Sequence, residues 1–158
     1  MGAWANSLLA FGGEYQGDNT TEPLAAEELT PIVDAAIDIW AGTGLTTSQL
    51  EQLQASTVTI ADLSGARLGA ALGSSIVIDV NAAGYGWFVD PTPDQNEEFT
   101  DLGGHGLLGV AESAAAGRMD LLTVILHELG HMRGLDHDVA RSSWMNGLLD
   151  VGTRRSSL

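Results

Sequence analysis

Three histidines between positions 127 and 137 place the strongest constraint on how this chain can fold. The segment HELGHMRGLDH runs from His127 to His137, with His131 four residues after the first histidine. Residues four apart lie one turn apart on the same side of an α-helix, so both imidazoles can point at one ion. Gly134 can take the left-handed conformation that ends a helix sharply. His137 can then turn back as a third nitrogen ligand, and the spacing predicts a zinc site.

Three nitrogen ligands leave one tetrahedral position of a zinc ion open for water. Zinc lowers the pKa of its bound water to about 7. Glu128, next to the first ligand, is placed to take a proton from that water and to pass it to a leaving amine. The pattern therefore predicts hydrolysis at a catalytic zinc. The plain alternative is a helix that merely carries exposed histidines, and the cap at Asp120 and the apolar face before the motif argue against it.

Helix and strand signals before the motif predict an α+β fold. Thr30-Pro31 is typical of a helix start, and apolar residues recur at helical spacing up to a break at Gly42. Ser48, with Glu51 three residues later, predicts a second helix through a capping box. Three strands are predicted after these helices: Thr57 to Leu63 alternates with a β-branched bias, Arg67 to Leu72 is a shorter candidate, and Ser75 to Val80 is rich in Ile and Val.

The stretch from Asn81 to Gly117 has the glycine and proline content of a long loop, in which residues 107–116 are a candidate for one short element. Residues 1–29 are also rich in turn formers and predict a lightly structured arm, either a pro-segment or a linker. Residues 30–158 then form a single catalytic domain, which we expect to be monomeric.

The charge and composition of the chain argue against several kinds of partner and site. The net charge is −15, with 21 acidic residues against six basic ones, so nucleic acid is a poor partner because phosphate contacts need a basic surface. No apolar run is long enough to span a bilayer. The chain has no cysteine, which removes thiolate metal sites and is compatible with secretion.

The histidine motif together with Ser143-Trp144-Met145-Asn146 resembles the signature of the metzincin zinc peptidases, in particular the matrix metalloproteinase-like branch and modules of large secreted bacterial proteins. The resemblance implies a small twisted mixed sheet with a backing helix, an active-site helix and a short C-terminal subdomain. It implies that Met145 forms a hydrophobic floor beneath the zinc, and that an edge strand aligns a protein or peptide substrate, for which Arg67 to Leu72 is the candidate. It also implies secretion, alone or within a larger protein.

Two departures from the resemblance concern the end of the chain. No tyrosine stands two positions after Met145, where some of these enzymes carry one that assists catalysis. Few residues follow Arg155, so there is little room for the C-terminal helix that is common in the group.

Several other residues are weaker candidates. Asp18, in the segment Tyr15-Gln16-Gly17-Asp18, resembles an aspartate that holds some precursors latent by binding the zinc, although Gly-Asp is usually only a turn. His105 lies in a glycine cluster and is either a second metal ligand or an exposed loop residue. Trp87 and Phe88 either wall a substrate pocket or belong to the core. Oxygen ligands for calcium could come from six acidic residues that otherwise form a solvated loop: Asp79, Asp90, Asp94, Glu97, Glu98 and Asp101.

Three classes of function remain open from the sequence. The first is a zinc-dependent endopeptidase with Glu128 as its base. The second is a zinc-bearing binding or adhesion module of a larger secreted protein, although a purely structural zinc site needs no base. The third is a hydrolase of non-peptide amides or esters, which zinc chemistry also permits.

Overall fold

A five-stranded mixed sheet packed against two long helices forms the frame of the protein. The computed structural model describes residues 7–17, 21–101, 106–140 and 142–157. The core lies between the sheet and the helices and contains fully buried side chains from both, among them Trp40, Leu68, Ile76, Ile78, Ile125 and Leu129. The predicted α+β class is confirmed. Within these ranges, no helix is both long and apolar enough to cross a membrane.

Helix α1, Ala26–Ala41, begins five residues before Pro31, the predicted first helical position. The side chain of Glu28 accepts a hydrogen bond from the backbone N–H of Ala25 at 3.0 Å, and its charge lies at the favourable end of the helix dipole. This cap lies on the N-terminal side of Pro31. Pro31 therefore lies inside the helix, and the prediction that it occupies the first helical position is wrong.

Helix α2, Thr47–Gln54, is capped by Thr46. The hydroxyl of Thr46 accepts from Gln49 N at 3.2 Å, and the Gln49 side chain accepts from Thr46 N at 2.9 Å. The capping box predicted at Ser48 and Glu51 is thus formed two residues earlier by another pair of the same pattern. Helix α3, Leu121–Met132, carries the first two histidines of the motif.

The main sheet has the strand order β2-β4-β3-β1-β9. The predicted strands are confirmed within a few residues as β2, Thr57–Ala61, β3, Arg67–Leu72, and β4, Ser75–Asp79. Strands β2 and β4 are parallel, whereas β3 is antiparallel to β4. Two strands of this sheet were not predicted from the sequence, β1, Leu8–Ala10, and β9, Leu148–Leu149.

Strand β1 corrects two expectations. Leu8–Ala10 lies in the stretch expected to be lightly structured, yet it is a strand inside the sheet, with Leu8 and Ala10 buried. It pairs antiparallel with β3 and parallel with β9. Because β1 covers one side of β3 and β4 covers the other, Arg67–Leu72 is an interior strand, and its prediction as an edge strand is wrong for this structure.

The stretch predicted as a long loop and the C-terminal part both contain short strands. They are β5, Trp87–Phe88, β6, Phe99–Asp101, β7, Leu107–Gly109, β8, Met119–Asp120, and β10, Thr153–Arg154. The short element expected within residues 107–116 is β7. Among the described residues after α3, the chain forms turns and the strands β9 and β10, without a further helix.

A buried ionic cluster joins the C-terminal part to the start of α3. The carboxylate of Asp120 accepts from Thr123 N and Oγ1 at the helix N-terminus, at 3.3 and 2.7 Å. It also accepts two hydrogen bonds of 2.8 Å from the Arg154 guanidinium, which forms a second ion pair with Asp90 at 2.9 Å. One arginine thus neutralises two buried carboxylates.

We predict that Arg154→Leu destabilises the protein by about 3–5 kcal/mol, because removing one partner of a buried ion pair leaves uncompensated charge. Urea denaturation monitored by circular dichroism measures the change. Arg118→Leu is the matched control, since Arg118 is exposed. Equal stability of the two variants would contradict the structural role of the cluster.

Candidate metal centre

The three histidines of the motif converge on one point. The Nε2 atoms of His127 and His131 lie 3.0 Å apart, and those of His127 and His137 lie 3.2 Å apart. Helix α3 ends at Met132, and two residues later Gly134 has a φ of +88° and donates its N–H to the His131 carbonyl at 2.9 Å. This turn returns the chain so that His137 faces the helix.

Backbone carbonyls orient the first two rings. The Trp144 carbonyl lies 2.7 Å from His127 Nδ1, and the Leu135 carbonyl lies 2.8 Å from His131 Nδ1. A carbonyl can only accept, so each Nδ1 must carry the proton, and in the neutral ring each Nε2 then presents a lone pair. Such partners fix the tautomer of metal-binding histidines in known sites.

Lone pairs that face each other at about 3 Å need a cation between them. Two nitrogens bound at 2.0–2.1 Å to a tetrahedral zinc are about 3.3 Å apart, close to the separations of His127 Nε2 from the other two Nε2 atoms. Burial, followed by the nearby charge of His131, lowers the pKa of His127 to about 3. His127 is therefore neutral at physiological pH, as a zinc ligand must be. The donor set fits zinc.

Glu128 lies beside the first ligand and is fully buried. Its Oε1 accepts a hydrogen bond from Leu8 N at 3.2 Å, whereas its Oε2 has no hydrogen-bond partner among the described residues. Burial raises the pKa of Glu128 to about 8, against the opposing effect of the Leu8 N–H. A cation held by the neighbouring histidines would favour the ionised form and lower that pKa.

Glycine at position 69 makes room for this carboxylate in the sheet. A Cβ added to Gly69 of β3 would lie 3.4 Å from Glu128 Cγ and 3.0 Å from a methyl group of Val124. Helix α3 and β3 therefore pack closely at this point, and Glu128 faces the region between β3 and β1.

Met145 lies against α3 between the two helical ligands. It is buried, and a side chain at Gly130 would overlap its sulfur atom. Its carbonyl accepts from Asp138 N at 2.8 Å, directly after the third histidine. Trp144, whose ring packs edge-on against Trp40 at 5.1 Å, anchors the same turn. The role of Met145 as a floor beneath the metal stays a prediction.

Sequence reasoning missed three residues that shape the site. Trp144 and Leu135 act through their carbonyls, which no side-chain pattern shows. Gly147 lies against the third ligand, since an added Cβ would come within 2.7 Å of His137 Nδ1. A glycine soon after the methionine turn was the available signal for this close contact.

Only three of the six candidate calcium ligands lie close together in the structure. Carboxylate oxygens of Asp90, Glu97 and Glu98 lie within 4.8 Å of one another, but the Arg154 guanidinium already supplies positive charge at Asp90. Asp79 instead holds the backbone, because its two oxygens accept from Leu63 N and Ala83 N at 2.7 Å each. Asp94 and Asp101 lie outside the group of three. Calcium binding stays a prediction.

The remaining candidates do not join the zinc site. Trp87 and Phe88 are buried; the Trp87 indole donates to the Asp79 carbonyl at 2.8 Å, and the Phe88 ring packs against Phe99. These contacts agree with the core alternative. Asp18 and His105 lie outside the described residues.

We predict that Gly147→Ala weakens zinc binding by about 10- to 100-fold, the range typical of changes next to a ligand. The added methyl group must displace the His137 ring, whereas the rest of the fold keeps its contacts. Competition with a chromogenic chelator measures the affinity, and the melting temperature of the metal-free protein serves as the check on folding. Gly42→Ala, at an exposed helix end, is the control. Unchanged zinc affinity in Gly147→Ala would contradict the placement of His137.

The family model described as matrixin, peptidase M10, matches residues 13–158. No curated protein and no solved structure matches the chain significantly.

Proposed function

This chain belongs to the matrixin family of zinc metallopeptidases, and from that premise we propose that it is an endopeptidase in which Glu128 is the general base. The observation that carries the proposal is the pairing of a three-histidine centre with a buried glutamate whose Oε2 has no protein partner. A zinc site that only stabilises a fold fills its fourth position and has no use for such a carboxylate.

The histidines and Glu128 have different roles in hydrolysis. His127, His131 and His137 would hold zinc, which supplies a Lewis acid that polarises the scissile carbonyl and acidifies water. Glu128 takes one proton from the attacking water and delivers it to the nitrogen of the breaking peptide bond. Its surroundings exclude bulk solvent, so the carboxylate is a stronger base than it would be in water.

Membership of the family supports protein or peptide substrates over other amides and esters. Secretion, alone or within a larger protein, and a monomeric state are further proposals that rest on the resemblance and not on a contact in the structure.

A zinc-bearing binding module with little turnover is the second candidate. One observation favours it: strand β1 lies beside Glu128, and the Leu8 N–H occupies Oε1. The alternative requires that this strand stays in place permanently.

We predict that Glu128→Gln lowers casein hydrolysis by about 10²- to 10⁴-fold, the usual contribution of general acid–base catalysis, while zinc content stays at one ion per chain. Glutamine keeps the shape of the side chain and can still accept from Leu8 N, but it cannot take up a proton. Glu51→Gln, at an exposed position of α2, is the matched control and should cleave casein as the wild type does. Equal hydrolysis by Glu128→Gln and the wild type would remove Glu128 from the mechanism.

A further inference from the structure

The dipeptide Asn146-Gly147 directly follows Met145 and lies beside the metal centre. Gly147 lines the same cavity as His137, and its nitrogen donates no hydrogen bond to any part of the chain that the structure describes. Glycine has no Cβ that would shield this nitrogen from the preceding side chain. Asparagine is among the thermally labile residues, and a glycine after it leaves the backbone nitrogen open to react with the side-chain amide.

A hydrogen bond holds the Asn146 side chain beside this nitrogen. Asn146 Oδ1 accepts from Leu148 N at 3.0 Å, which closes a ring of atoms that contains Gly147 N and keeps the amide carbon Cγ close to it. Groups that are held near each other in this way react much faster than separate molecules do. The Leu148 N–H also stabilises the negative charge that develops on Oδ1 when a nitrogen attacks Cγ. The fold thus favours an attack of Gly147 N on the Asn146 side chain.

We propose that Asn146 is a site of spontaneous modification, at which its amide is converted into aspartate and isoaspartate and the zinc centre is thereby weakened with time. Gly147 N forms a bond to Asn146 Cγ, the Cγ–Nδ2 bond breaks, and the proton of Gly147 N passes to Nδ2, which leaves as ammonia. One water molecule then opens the cyclic imide at either of its two carbonyls. Water is the only co-reactant, and the modification does not rest on the proposed peptidase function.

The surroundings of Asn146 give water access to this reaction. Asn146 itself is partly exposed, Leu148 is 41% exposed, and Val139, whose carbonyl accepts from the Asn146 amide, is 95% exposed. Bulk water can therefore reach the imide, and the ammonia can leave.

Loss of the amide removes a link between two segments of the metal centre. Asn146 Nδ2 donates to the carbonyls of Val139 and Ala140 at 3.3 and 3.2 Å, in the loop that follows His137. After the reaction a carboxylate oxygen takes the place of Nδ2, and an ionised carboxylate can only accept. The oxygen and the two carbonyls repel each other, so this side chain no longer holds the loop of the third ligand to the methionine turn.

Isoaspartate has a second effect, because its main chain runs through the side-chain carbon and is longer by one methylene group. This insertion lies directly before Gly147, where an added Cβ would come within 2.7 Å of His137 Nδ1. The Gly147 carbonyl also accepts from Leu9 N at 3.1 Å, so the glycine cannot move without losing a contact to β1. We therefore expect the longer main chain to displace either Gly147 or the His137 ring.

The reaction is tested by ageing the full wild-type chain at neutral pH and physiological temperature and by mapping its peptides with mass spectrometry. Asn96 is the internal control, since it is more exposed than Asn146 but is followed by Glu97, which has a Cβ. We expect Asn146 to be converted at least about tenfold faster than Asn96, because only its neighbouring nitrogen is unshielded and held close to the amide. Isoaspartate should be among the products, since only the imide gives it.

The effect on the metal centre is measured on fractions of one aged sample. Anion exchange separates the chains that have gained a carboxylate from the unmodified ones, and competition with a chromogenic chelator gives the zinc affinity of each fraction. We expect the fraction modified at Asn146 to bind zinc about 10- to 100-fold more weakly, the range typical of changes next to a ligand. Asn146→Gln keeps an amide but closes the ring less readily, so its zinc affinity should stay constant during ageing.

Each outcome decides one part of the proposal. Equal conversion of Asn146 and Asn96, or aspartate at position 146 without isoaspartate, overturns the proposed reaction. Equal zinc affinity of the modified and unmodified fractions overturns the weakening of the metal centre. If Asn146→Gln does not fold, the two wild-type fractions decide alone, because they differ only by ageing. Neither measurement needs casein hydrolysis, so a chain without peptidase activity tests the modification equally well.

Discussion

Two backbone carbonyls determine the geometry on which the candidate site depends. By accepting from the Nδ1 atoms of His127 and His131, Trp144 and Leu135 direct both Nε2 lone pairs to one point. Their carbonyls come from the methionine turn and from the loop after α3, so the metal centre joins three segments: α3, the loop after it and the methionine turn. The Trp40–Trp144 contact and the Arg154 cluster hold these segments around α3. Stability and chemistry are thus coupled through the same C-terminal part.

Burial gives Glu128 two properties at once. It separates the carboxylate from water, which raises its pKa, and it leaves Oε2 without a partner among the residues that the structure describes. A buried carboxylate oxygen without a hydrogen-bond partner lowers the stability of the folded state. This cost is expected where the carboxylate takes part in catalysis. The N–H of Leu8 satisfies the other oxygen, so the N-terminal strand contributes to the stability of the site.

The sequence predicted what local periodicity and spacing encode. The histidine motif, the helix-ending Gly134 and the three strands from Thr57 to Val80 rest on neighbours within a few residues, and the structure has each at or near the predicted place. Strand β1 could not be predicted, because three residues carry no periodicity and its partners are distant in the chain. The sequence offers two possible starts for α1, one at Ala25 with Glu28 and one at Thr30 with Pro31. The structure uses the first of these. The roles of Trp144, Leu135 and Gly147 come from backbone placement, which becomes visible only after folding.

Zinc-edge X-ray absorption of the purified wild type, with metal content measured on the same sample, tests the central claim most directly. The account predicts one zinc per chain with three imidazole nitrogens at about 2.0–2.1 Å and one oxygen ligand, and loss of one imidazole in His137→Ala. A zinc-free protein after reconstitution, or a spectrum that needs fewer than three imidazoles, would contradict it.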